Sequence, residues 1–158
     1  MKSNKWKSYV FWILLSEAVG IIAGLLTSGG VEAYGMSVVK PALTPPAIVF
    51  PIVWTILYAL MGIGAACVQL SGNSPEQRRG ISLFILQLIL NFFWPLFFFN
   101  LQAYGFSFVW LLALWAAVFL MILTFYKVDK LAAWLQIPYL IWLTFAAYLN
   151  LGVWLLNR

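Results

Sequence analysis

Histidine is missing from this chain, and cysteine occurs once, as Cys67. A single cysteine excludes any intrachain disulfide. Without histidine a zinc site lacks its usual ligands, and haem has no imidazole to bind it. Neither a Ser–His–Asp nor a His–Cys catalytic arrangement can be assembled. No P-loop, dinucleotide fingerprint or carboxylate pair is present, and no metal or cofactor is expected. No two-half repeat is evident, which argues against a conventional alternating-access transporter. Charge is scarce too: 8% of the 158 residues are charged, whereas 65% are hydrophobic. That ratio does not suit a soluble domain and predicts a polytopic membrane protein.

What is there is a set of long apolar runs. Five spans are predicted, at about 9–27, 47–70, 81–100, 105–126 and 131–156. The runs are continuous rather than alternating, so helices are expected and not a β-barrel. The expected fold is all-α: one domain, residues 1–158, forming a bundle of five transmembrane helices. The first apolar stretch lacks a small-residue cleavage site and is followed by more spans, so it does not read as a signal peptide. The net charge of +5 lies at span ends, a pattern of topology and attraction to anionic lipid rather than of nucleic-acid binding. Lys2, Lys5, Lys7, Arg78, Arg79, Lys127 and Lys130 fall on one side, and Lys40 and Arg158 on the other. The positive-inside rule then predicts a cytoplasmic N-terminus, with loop 28–46 and the C-terminus outside. That loop is the only connection long enough to act as a lid.

Three helix faces carry candidate site residues. Trp54, Tyr58 and Met61 share one face of the second span, which starts after Pro45-Pro46 and has Pro51 in its first turn. Trp54 lies roughly 12 Å below the mouth of that helix by helical rise, too deep for an interfacial belt. Gln87, Asn91 and Trp94 share a face of the third span, and Trp142, Ala146 and Leu149 a face of the fifth, with Asn150 beside them. Asn91 and Ala146 are roughly 14 and 15 Å deep from the same side, so Trp54, Asn91 and Ala146 can form one layer beneath the loop. Each face also has an ordinary reading, helix packing or interhelical hydrogen bonding. Pro95 frees the carbonyl of Asn91, and Pro138 that of Trp134, so kinks are expected there. Glu17, midway along the first span, is either a hydrogen-bonded structural carboxyl or a proton relay. Gly20 and Gly24 form a GxxxG that permits close helix contact. Trp6, Trp12, Trp134 and Trp154, near span ends, are expected in the aromatic belts.

These landmarks resemble the TspO/MBR family, the tryptophan-rich sensory proteins that include the mitochondrial translocator protein. The resemblance rests on Lys40-Pro41, Pro45-Pro46, Val53-Trp54, Leu57-Tyr58 and Met61-Gly62, then on Gln87-Leu88, Leu90-Asn91 and Trp94-Pro95. It continues through Pro138-Tyr139, Trp142, Phe145-Ala146, Leu149-Asn150 and Trp154, covering nearly the whole chain. It implies five transmembrane helices, usually a homodimer, with a ligand pocket under the first loop. It implies porphyrins such as protoporphyrin IX as ligands, along with isoquinoline carboxamides and benzodiazepines. The chain lacks an extended basic tail and so looks like a bacterial member, placed in the cell membrane. Cholesterol binding is in doubt, because Leu151 and Leu155 stand where the family's cholesterol motif has a tyrosine and a basic residue.

For a porphyrin, Trp54, Trp94 and Trp142 can supply flat walls, and Phe50 and Tyr58 extend them. Asn91 and Gln87 can meet polar edges within the membrane, and Tyr34 and Lys40 can do so at the loop. Pro45, Ala146 and Leu149 complete the expected site. Without histidine a metal-free porphyrin is favoured over ligated haem. The expected function is binding, as sensor, scavenger or carrier. The alternative is an enzyme that degrades porphyrin in light and oxygen with Trp54 and Trp142 as electron donors. A third reading is a structural subunit whose aromatics only pack.

Overall fold

The computed structural model describes residues 4–158, so Lys2 of the basic N-terminal flank lies outside the described residues. The helices are α1 Lys5–Leu26, α2 Ser28–Ser37, α3 Val49–Leu70, α4 Pro75–Pro95, α5 Tyr104–Val128, α6 Lys130–Leu135 and α7 Ile137–Leu156. Five rods among them are long and apolar enough to cross a membrane: α1, α3, α4 with its continuation to Asn100, α5, and α6–α7 taken together. Among the described residues there is no strand. The expected five-helix bundle is the observed one.

Local chemistry accounts for the boundaries. Ser74 caps α4, its side chain accepting from the Gln77 N–H at 3.0 Å, with Pro75 in the first turn where a missing N–H does no harm. Asp129 caps α6 in the same way, accepting from Ala132 N at 3.1 Å. The two internal prolines act differently. At Pro95 the chain stays helical but widens into a π-helix, Leu96–Asn100, closed by Leu101 N to the Leu96 carbonyl at 3.1 Å. Just before Pro138 the rod breaks at Gln136, which ends α6 and starts α7.

α1 packs on α3 at two levels. A Cβ on Gly62 would meet the Ile13 backbone at 2.5–2.6 Å, so only glycine lets the helices approach this closely. A Cβ on Gly20 would run into the Tyr58 ring, whereas one on Gly24 would meet nothing within 4 Å. The Gly20–Gly24 motif therefore makes a contact at one end and faces open space at the other. Trp12 is not a belt residue. It is 6% exposed, its indole donates to Gln69 Oε1 at 2.7 Å, and its ring stands edge-on to Phe84 at 5.5 Å. Trp6, Trp134 and Trp154 are exposed.

Residues 28–46 are more structured than a loop. They form α2 and then an extended segment, both crossing one end of the bundle, here called the lid end. The extended part is tied to the end of α7: Asn157 Oδ1 accepts from Val39 N at 3.0 Å, and its Nδ2 donates to the Val39 carbonyl at 2.8 Å. Tyr148 donates to the Ala42 carbonyl at 2.8 Å.

Candidate functional site

Beneath the lid the bundle encloses a cavity of about 700 Å³, within the range of about 300–1,000 Å³ usual for small-molecule sites. α3 supplies its aromatic wall. Phe50, Trp54 and Tyr58 recur every four residues and so lie on one stripe facing the cavity. The Trp54 ring is 5.5 Å from Tyr58, 6.4 Å from Trp142 and 6.1 Å from Tyr139. Phe50 meets Trp142 edge-on at 5.8 Å. α7 adds Trp142, Ala146 and Leu149, the small side chain of Ala146 leaving room between two bulky ones. Trp142 also lines a shallow apolar groove on the other side of the α3–α7 wall, so its ring is part of the partition between cavity and exterior.

Trp94 closes the α4 side. It is stacked on Phe98 at 4.9 Å, a ring that the π-helix after Pro95 swings into place. Its indole donates to Asn150 Oδ1 at 3.0 Å, and Asn150 in turn donates to the Tyr104 carbonyl at 2.9 Å. These are the interhelical hydrogen bonds that polar residues on membrane helices make. Asn150 fixes the helices together and thereby fixes the wall.

A buried hydrogen-bond chain underlies the cavity. Tyr58 donates to Asn91 Oδ1 at 2.5 Å, Asn91 Nδ2 donates to the Tyr139 hydroxyl at 2.7 Å, and Tyr139 donates to Gln87 Oε1 at 2.8 Å. The chain fixes the Asn91 amide's orientation and satisfies buried polar groups that would otherwise be costly. Asn91 reaches the cavity; Gln87, one turn earlier on α4, does not. It is fully buried and serves as the last acceptor of the chain, so it supports the site without lining it. Trp54, Asn91 and Ala146 all line the one cavity.

The lid contributes Tyr34, Lys40 and Pro45. Tyr34 rests on Phe98 and Phe99 at 5.5 and 5.3 Å, and burial, with Tyr104 nearby, pushes its phenol above the ordinary range. It therefore stays a neutral hydrogen-bonding group at physiological pH. The Trp142 indole N–H is buried and, among the described residues, has no hydrogen-bond partner. A ligand acceptor or a water at that point would relieve a cost of about 1–3 kcal/mol.

Part of the site was missed at the sequence level. α1 forms a whole wall through Glu17, Gly20 and Gly24, and α5 another through Leu111 and Leu114. The signal for α1 was available, since Glu17, Gly20 and Gly24 share a helical face, so that the carboxyl and the small residues look the same way. Tyr139 was visible only as a landmark; nothing in its spacing showed that it would bridge Asn91 and Gln87.

The TspO/MBR family profile matches residues 12–155. The chain is 39% identical to a protein of Chlorobaculum tepidum named tryptophan-rich protein TspO, over 90% of this chain and 91% of that one. It is 37% identical to protein CrtK of Rhodobacter capsulatus, over 94% and 92% of the two chains. It is 32% identical to the translocator protein of Bos taurus, over 97% and 92%. Each match spans nearly the whole of both chains and so includes every helix that builds the cavity. The chain belongs to the TspO/MBR family of integral membrane proteins.

Proposed function

We propose that this protein is a membrane receptor for porphyrins of the protoporphyrin IX kind and for comparably flat apolar ligands such as isoquinoline carboxamides, acting as sensor, scavenger or carrier. One observation carries the proposal: a cavity of about 700 Å³ whose walls are the indoles of Trp54, Trp94 and Trp142, with polar groups confined to its ends and edges. A large flat π-system needs aromatic faces and apolar volume, and its acidic substituents need a few polar groups. Since the chain has no histidine, the free-base porphyrin is the form proposed. The ligand partners are accompanied by membrane lipid and, by resemblance, a second copy of the chain. The distribution of Lys and Arg supports a cytoplasmic N-terminus in a bacterial cell membrane, with the lid and the C-terminus outside. Leu151 and Leu155 break the cholesterol motif, so cholesterol is not among the proposed ligands.

Titration of the protein in lipid nanodiscs with protoporphyrin IX tests this. Saturable quenching of tryptophan fluorescence at one porphyrin per chain is expected. Quenching that rises linearly without saturation, as in empty nanodiscs containing free tryptophan, would remove the proposal.

A second reading, light-driven porphyrin degradation, is favoured by one arrangement. Trp54 and Trp142 both line the cavity and stand edge-to-face at 6.4 Å, so a bound photosensitiser would touch two oxidisable indoles at once.

A further inference from the structure

Lys40 is the single cation among the described residues that line the cavity. Its backbone is held firmly. Val39, just before it, is bonded through both its N–H and its carbonyl to Asn157. Pro41, just after it, sits so close to α7 that a Cβ on Gly152 would meet the proline ring at 2.6 Å, and Ala42 accepts from Tyr148. The side chain is held loosely by comparison. The ammonium lies 3.3 Å from the Val38 carbonyl, 3.4 Å from the Gly35 carbonyl and 5.0 Å from the centre of the Tyr34 ring. A charge-assisted bond to a carboxylate is shorter, about 2.7–2.9 Å, and stronger. A rigid mounting with an exchangeable set of contacts is what a charged anchor requires.

Among the described residues the rest of the cavity offers a carboxylate no second cation; the Trp142 N–H is a single neutral donor and leaves the charge uncompensated. Glu17 stands ten residues before Thr27, the C-cap of α1, hence about 15 Å below the lid by helical rise. As a carboxyl group it supplies no counter-cation in either protonation state. The Asn91 amide is neutral and already committed to Tyr58 and Tyr139. A carboxylate pushed down to that level would be buried without a counter-ion, which is costly in so apolar a site.

We infer that Lys40 is the carboxylate anchor of this cavity, so that a ligand lies with its acidic edge under the lid and its apolar body directed toward Asn91 and Glu17. This rests on the receptor reading above and narrows it to acidic amphiphiles. The competing role for Lys40 is structural. It follows α2 closely, and a cation beside the last carbonyls of a helix stabilises that end.

The test uses the full chain in phosphatidylcholine nanodiscs, as wild type, Lys40→Gln and Lys40→Arg. Two probe pairs are titrated, protoporphyrin IX with its dimethyl ester, and 1-pyrenebutyric acid with its methyl ester. Lys40→Gln is expected to weaken binding of each acid about tenfold, the loss of one charged hydrogen bond, while each ester changes less than about twofold. Lys40→Arg should retain most of the preference for the acid. Equal losses for acid and ester would show a structural cap and overturn the inference, as would unchanged affinity for the acids. If wild type binds neither porphyrin but prefers pyrenebutyric acid in a Lys40-dependent way, the anchor stands and the porphyrin reading falls. If no member of either pair binds saturably, both fall.

Discussion

Beyond the Tyr139 hydroxyl, away from the lid, the bundle is solid. Met61, Val68, Phe84, Met121 and Phe125 are fully enclosed there. On the lid side the same five helices surround about 700 Å³ of open space. Aromatic content does not separate the two halves, because the hollow half carries more tryptophan. What separates them is how the rings are used. In the solid half Phe84 is fully buried and meets Trp12 edge-on. In the hollow half the rings stand around the perimeter and brace one another, Trp54 on Trp142 and Trp94 on Phe98. Small residues, Gly20, Gly24 and Ala146, are among those that line the space between them. The hydrogen-bonded row Tyr58–Asn91–Tyr139–Gln87 marks the boundary. A cavity in a membrane bundle is thus kept open by fixed posts, since lipid exerts no hydrophobic pressure to collapse it selectively.

The largest effect should come from breaking the solid half. Phe84→Ala removes the ring at the centre of the packing. In soluble cores this change costs about 3–5 kcal/mol, part of which is transfer from water. Helices unfolded in lipid do not feel that part, so a loss near 3 kcal/mol is expected. A drop in thermal stability in detergent checks it, with porphyrin affinity per folded molecule nearly unchanged. A variant that keeps its stability but loses ligand would reverse the roles assigned to the two halves.

Next comes Trp54→Ala, in the wall of the hollow half. Its ring supports a cavity rather than filling a core, so the fold should survive. Porphyrin affinity should fall roughly thirtyfold, the ~2 kcal/mol of a central aromatic anchor. Unchanged affinity in a stable variant would place the ligand elsewhere.

At the boundary, Asn91→Leu deprives the Tyr58 hydroxyl of its acceptor, while Tyr139 can still donate to Gln87. One stranded group implies about 1–3 kcal/mol of stability. Adding Tyr58→Phe should recover most of it, because the stranded hydroxyl is removed. A double variant no more stable than Asn91→Leu alone would mean that the row is not a set of hydrogen-bonded posts.

The five rods were legible in the sequence, because hydropathy and length decide a membrane span almost alone. That Trp54, Asn91 and Ala146 would line one cavity was legible as well, since helical rise counts them to comparable depths from the same end of the bundle. Gln87 shows where that logic stops. It shares the face of Asn91, but it lies one turn farther from the lid, where Tyr139 from another helix donates to it, and it does not line the cavity. Trp12 fails for the same reason: its place near a span end suggests a belt, whereas Gln69 and Phe84, remote in sequence, take it into the core. α2 was hidden by its glycines, which favour no helix. Packing of Tyr34 on Phe98 and Phe99 compensates, and that too is tertiary.

The smallest effect on binding, and the sharpest test of what the hollow half does, is expected from Trp54→Phe and Trp142→Phe. Phenylalanine keeps a flat apolar wall in both places. For Trp142 the change also removes an indole N–H that has no partner among the described residues, so it should not destabilise the site. Porphyrin affinity should therefore stay within about threefold, well under 1 kcal/mol. Photochemistry should respond differently. Excited porphyrin either takes an electron from a neighbour or passes its energy to oxygen, and indole is the most easily oxidised side chain along this wall. If the protein degrades porphyrin in light, each variant should bleach bound porphyrin more slowly than wild type at equal loading. Bleaching of wild type no faster than free porphyrin would end the enzymatic reading and leave binding alone. Fast bleaching by wild type and both variants alike would keep the chemistry but take it away from Trp54 and Trp142, leaving those two rings as walls.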